Sequence, residues 1–178
     1  MSTISHLEPQ SLWTIFDKIC SIPRPSKHEQ KISAWIQSWA TDLGLSVKED
    51  AVGNLILSKP ATKGMENRKG IILQAHMDMV PQKNNDTVHD FKTDPILPYI
   101  TECNEWVTAK GTTLGADNGV GLASALAVLA SKDISHGPLE VLVTIDEEAG
   151  MTGAFGLEAG WLAGDILINT DSEQEGEG

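Results

Sequence analysis

Residues 73–81 read LQAHMDMVP, with His76 and Asp78 two positions apart at the end of an apolar run that includes Ile71, Ile72 and Leu73. In extended chain an i, i+2 pair points to one side. Asp78 can then hold one ring nitrogen of His76 and leave the other for a cation. The pair alone is a weak signal, because a single histidine is more often a hydrogen-bonded side chain than a ligand. Acidic residues further along strengthen it. Asp117 lies just before an apolar helical run; Asp146, Glu147 and Glu148 follow LEVLVTI, residues 139–145; and Asp171 follows DILIN, residues 165–169. Each has a plain alternative: a helix N-cap for Asp117, a charged loop for 146–148, a solvated acidic tail for Asp171. Their coincidence carries the argument, since three apolar strand-like runs each lead directly to a metal-type ligand.

The donor types make chemical sense together. Neutral imidazole and carboxylate oxygen suit zinc, and also manganese or cobalt. Clustered carboxylates would repel one another, and one or two divalent cations would offset that. Of two adjacent glutamates, one can bind metal while the other stays free as a base for water on the metal.

Such a cluster needs elements that aim it. Leu12, Ile15, Phe16 and Ile19 recur at helical spacing, so Pro9 to Ile22 reads as a helix. Ser26 to Asp42 reads as a second helix, with Ser26 as N-cap and Gly44 as its stop. Residues 46–49 and 54–58 read as adjacent strands or a hairpin across Val52-Gly53, and KGIILQAH as a buried strand. Short strands are expected near 96–100 and 106–109. A helix apolar nearly all round runs from about Asn118 to Lys132 and should be buried. Residues 139–145 read as a central strand, 154–158 as a short helix and 165–169 as another buried strand. Alternating strands and helices give an α/β fold with a mixed, largely parallel sheet layered by helices. In such sheets ligands sit beyond the carboxyl ends of the strands, where all these groups would meet.

Composition bounds the partners. The chain has 178 residues, 40% hydrophobic and 21% charged, enough for one real core. Thirteen basic against 25 acidic residues leave a formal net charge of −12, which argues against nucleic acid and anionic membranes and is compatible with cations. No Lys or Arg follows Lys132. The two cysteines, Cys20 and Cys103, form neither a metal motif nor a disulfide framework, and a reducing, cytoplasmic compartment fits them. The stretch MSTISHLEPQSLW does not read as a signal peptide, and the apolar run from Val120 to Ala130 is too short to span a bilayer.

AHMDMV, LGADNGVG, TIDEEAGMTGAFGL and NTDSEQEGE resemble, in order and spacing, the motifs of the co-catalytic zinc peptidases. That family includes peptidase T, glutamate carboxypeptidase and aminoacylase. Within it, DEEAGMTGAFGL and NTDSE are most similar to the aminoacyl-histidine dipeptidase branch. The likeness covers essentially the whole chain. It implies a dinuclear hydrolase with two divalent ions, zinc first among them. By position it implies that His76 binds the first metal, Asp78 orients His76, Asp117 bridges both metals, Glu147 is the general base, Glu148 binds the second metal and Asp171 completes the first. It further implies a cis Asp117–Asn118 peptide, hydrolysis of Xaa-His dipeptides, and a homodimer when complete.

There is one departure. The family's second metal takes a late histidine, and none of His6, His28, His76, His89 and His136 follows Asp171. The chain therefore reads as the N-terminal part of a catalytic domain, without a lid or dimerisation domain, and these 178 residues alone are expected to be inactive. Two further readings remain: another amide hydrolase of the family, such as a tripeptidase or deacylase, or a non-catalytic domain that binds metal or a partner.

Overall fold

A computed structural model describes residues 4–171. The acidic stretch after Asp171, with Glu173, Glu175 and Glu177, lies outside them, as do the first three residues of the amino-terminal stretch read for a signal sequence.

Helix α1 spans Gln10–Cys20, shorter than expected at its end. Pro23 follows closely, and a residue before proline is pushed out of the helical region. Helix α2 spans Gln30–Asp42. It begins four residues later than the spacing suggests, because Lys27 turns the chain at φ 69° and Ser26 is not its cap. Gly44, at φ 73°, turns the chain away after α2.

Strands β1 (Ser46–Glu49) and β2 (Leu55–Lys59) form the expected antiparallel pair. Strand β3 spans Ile71–His76. Strands β4 (Pro98–Ile100) and β5 (Val107–Ala109) make a separate two-stranded ribbon. Helix α3 spans Ala116–Ala130, but Asp117 and Asn118 inside it have non-helical backbone angles, so the regular helix begins after them. Strand β6 is Leu139–Thr144. Helix α4, Glu147–Gly150, forms where a charged loop was one reading, and α5, Thr152–Gly156, lies two residues earlier than expected. Strand β7 is Ile166–Asn169.

The main sheet has the order β1-β2-β6-β3-β7. β1 and β6 each run antiparallel to β2, while β3 runs parallel to both β6 and β7. Only β2 is therefore reversed, and the sheet is mixed and largely parallel as expected. One face carries the main core: Phe16 and Ile19 of α1, Ile32 and Ile36 of α2, and Leu122 and Leu126 of α3 pack on Leu57, Ala75, Val141 and Val143. The other face is thinner, with Ile56, Ile72 and Leu142 covered by Leu157, Trp161 and Leu162. A second expectation fails, besides the Ser26 cap. β7 is not buried: Ile166, Leu167 and Ile168 are 41%, 50% and 47% exposed. Among the described residues β7 pairs only with β3, so it is an edge strand, and a short apolar run looks the same in sequence at an edge or in the middle.

Burial also separates the two thiols. Desolvation pushes the Cys20 thiol up to about 12, against an opposing pull from Arg24. Cys103 is exposed, and its bond to Thr101 holds it below the ordinary thiol value. The thiolate is the reactive form, so at pH 8 an alkylating reagent should modify Cys103 alone in the native protein and both residues in denaturant. Peptide mapping reads the result, and equal native labelling would contradict the packing of α1.

Candidate metal centre

β3, β6 and β7 run the same way, so their carboxyl ends open on one edge of the sheet. His76 is the last residue of β3 and is fully buried. Its Nδ1 lies 3.2 Å from Oδ1 of Asp78, the other buried member of the pair. Its Nε2 faces three carboxylates: Asp117 Oδ1 at 3.0 Å, Asp171 Oδ2 at 3.6 Å and Glu147 Oε2 at 3.9 Å. Ligand atoms of His76, Asp117 and Asp171 all lie within 4.8 Å of one another, and so do those of His76, Glu147 and Glu148. All six residues singled out in the sequence thus gather around one imidazole.

Each arrives from a different element. Asp117 sits in the irregular first turn of α3, after Gly115 at φ 70°. The Asp117–Asn118 peptide is cis. Asp171 follows β7, and the side-chain amide of buried Asn118 donates to Thr170 O at 3.1 Å and to Asp171 Oδ1. Glu147 and Glu148 open α4 directly after Asp146, whose φ of 52° turns the chain sharply off β6. Asp78 fixes that helix start, because its carboxylate accepts from the main-chain N–H of Glu147 at 3.1 Å and of Glu148 at 3.2 Å.

The electrostatics follow from this crowding. Burial disfavours the charged form of Asp78, but bonds from His76, Ser26 and the Glu147 amide outweigh it and hold the carboxyl down at about 2. Burial likewise disfavours charge on His76, yet the bond to Asp78 and the charges of Asp78 and Asp171 raise the imidazole to about 9. The free carboxylates move the other way. Asp117 is raised by burial and then by Asp171. Glu147 is raised by burial and, against the pull of His76, by the charge of Asp171. Glu148 is raised by burial and then by Asp117. Carboxylates that disfavour one another's charge around one imidazole suit a divalent cation in donor type and number.

Several supporting residues escaped the sequence. Ser26 donates to Asp78 Oδ2 at 2.7 Å instead of capping α2. Glu29 accepts from the Asp146 N–H at 3.1 Å. Asn54, fully buried, accepts from Ile145 N–H and donates to Asp50 and to Gly153 O, tying the β1–β2 hairpin to the chain on either side of α4. The one local hint was SIPRPS, an arginine and a serine beside prolines between two helices.

A family model described as peptidase family M20/M25/M40 matches residues 72–174. The cytosol non-specific dipeptidase of Escherichia coli (strain K12) is 66% identical over 177 residues, covering 99% of this chain and 36% of that protein. The crystal structure of aminoacylhistidine dipeptidase from Vibrio alginolyticus superposes with a TM-score of 0.95 at 71% identity, covering 98% of this chain and 35% of that one. Aminopeptidase PepT from Bacillus cereus ATCC 10987 superposes with a TM-score of 0.77 at 30% identity, over 94% of this chain and 44% of that one. The chain thus spans about a third of the length of the first two. The match runs from β3, which carries His76, past Asp171, and so takes in every residue around the imidazole. The chain belongs to peptidase family M20/M25/M40.

Proposed function

We propose that the protein is a metal-dependent dipeptidase whose substrates include Xaa-His dipeptides, and that His76, Asp117, Glu148 and Asp171 hold two divalent ions, zinc first among the candidates. The observation that carries this reading is the single buried imidazole ringed by the carboxylates of Asp117, Asp171, Glu147 and Glu148. The names of the relatives from Escherichia coli and Vibrio alginolyticus, both dipeptidases, support the substrate class.

Bound there, a divalent ion supplies Lewis acidity, polarising the scissile carbonyl and making water easier to deprotonate. The side chains divide the remaining work. Asp78 holds Nδ1 of His76, which fixes the ring and turns Nε2 toward the carboxylates of Asp117 and Asp171, the residues that would hold an ion with it. Glu147, whose pKa burial raises above the ordinary carboxylate value, takes a proton from the attacking water and returns it to the leaving amine. Asp78 also fixes the main chain at Glu147 and Glu148, so base and ligand are set by one carboxylate. The negative edge disfavours anionic partners such as nucleic acid. Among the described residues no helix is long and apolar enough to cross a membrane. A cytoplasmic location accords with the name of the Escherichia coli relative. A homodimer of the complete protein belongs to the same reading, as does the assignment of residues 1–178 to the N-terminal part of its catalytic domain.

The test is a panel assay on the complete protein after chelation and re-addition of zinc, manganese or cobalt. An Xaa-His dipeptide should be cleaved only with metal, and faster than a tripeptide or an N-acyl amino acid. Preferred cleavage of the tripeptide or of the acylated substrate would move the protein to the tripeptidases or deacylases of its family. Metal uptake without any cleavage would leave a binding domain.

A further inference from the structure

The loop between α1 and α2 supplies none of the candidate ligands, yet it touches three of the four segments that do, those carrying His76, Asp117 and Glu148. Arg24, in this loop, is 1% exposed. Its Nη1 donates to Met77 O at 3.1 Å and to Asp78 O at 2.7 Å, and its Nη2 donates to Gly115 O at 2.5 Å. Met77 and Asp78 are the first residues after β3, and Gly115 caps α3 two residues before Asp117. The guanidinium therefore joins the segment that carries His76 to the turn that carries Asp117. Neighbouring residues extend the contact. Pro25 makes a parallel bridge to Met79, Ser26 holds the Asp78 carboxylate, and Glu29 holds the main chain just before Glu147.

Two features mark this as more than packing. Burying a cation is costly unless its donors are satisfied, and an apolar residue of similar volume would avoid that cost. Among the described residues Arg24 forms no ion pair; its hydrogen bonds go to main-chain carbonyls on two separate segments. The backbone opposite has also made room. A Cβ added at Gly115 or Gly119 would lie 2.5 or 2.6 Å from Nη2. A planar fork can serve both sides at once, whereas a lysine ammonium is a single point on a flexible stem.

We propose that Arg24 is a positioning residue of the metal centre, clamping the His76–Asp78 segment to the Asp117 turn so that imidazole and carboxylate meet at ligand distance. The proposal rests on the metal reading above and goes beyond it, because Arg24 is none of the candidate ligands and its hydrogen bonds go to main-chain carbonyls.

The test compares the parent protein with Arg24→Lys and Arg24→Gln, each stripped of metal. Zinc affinity is measured by competition with a chromophoric chelator, cobalt(II) is added to read ligand geometry from its visible spectrum, and circular dichroism checks the fold. Arg24→Lys should stay folded, bind zinc more weakly by about 10–100-fold, the usual cost of losing a group that orients a ligand, and shift the cobalt bands. Arg24→Gln should be weaker still. If neither variant folds, Ser26→Ala carries the test, since it removes one bond from the same loop to Asp78, and the same shifts are expected. A folded Arg24→Lys protein, or failing that Ser26→Ala, with parent affinity and an unchanged cobalt spectrum overturns the proposal. A parent protein that takes up no zinc overturns the metal reading itself, and this proposal with it.

Discussion

Glu147→Gln is expected to keep its metal and lose turnover by at least the ~10²–10⁴-fold that follows removal of a general base. Glu147 and Glu148 are adjacent on α4, and both stand within reach of His76. If one binds metal, the other is free to move protons. Glutamine keeps the size and one acceptor oxygen but cannot take a proton, so folding and metal content should persist. The main-chain N–H of residue 147, which Asp78 holds, is also unchanged by the substitution. Metal content by atomic emission and steady-state hydrolysis of an Xaa-His dipeptide on the complete protein decide the matter. Turnover near that of the parent would remove Glu147 from the role of base.

His76→Ala should weaken zinc binding by more than the about 10–100-fold expected for losing a group that merely orients a ligand. His76 is shared by both sets of converging donors, and it is the only nitrogen among them. The scaffold should survive its loss. Asp78 would still accept from Ser26 Oγ and from the main-chain N–H groups of Glu147 and Glu148, so the start of α4 stays held. Zinc titration together with circular dichroism separates lost ligation from lost fold. A folded variant with unchanged zinc affinity would show that the imidazole is not a ligand.

Much of the framework was legible in short stretches. The hairpin of β1 and β2, the greasy runs of β3 and β6, and the apolar stripe of α1 each declare themselves through periodicity over a few residues. The candidate ligands were legible for a related reason: His76, Asp117, Glu148 and Asp171 are polar residues placed within a few positions of apolar runs. The errors came where local pattern is ambiguous. Ser26 looked like a cap because serine often is one, but its hydroxyl serves Asp78 on another segment. The run Ile166 to Ile168 looked buried because it is apolar, but exposure depends on what pairs beside it.

By itself the sequence determined most element types, the residue types of the candidate donors and their order along the chain, because these depend on neighbours within a turn or a strand. Only the tertiary structure decided which of those donors share one imidazole, that β7 lies at the edge, and that Arg24 joins two ligand segments 53 and 91 residues away in sequence. The physical reason is that sheet order and loop-to-loop hydrogen bonds are long-range. A buried arginine reads in sequence like any surface arginine, and only folding brings to it the carbonyl groups that make its burial tolerable.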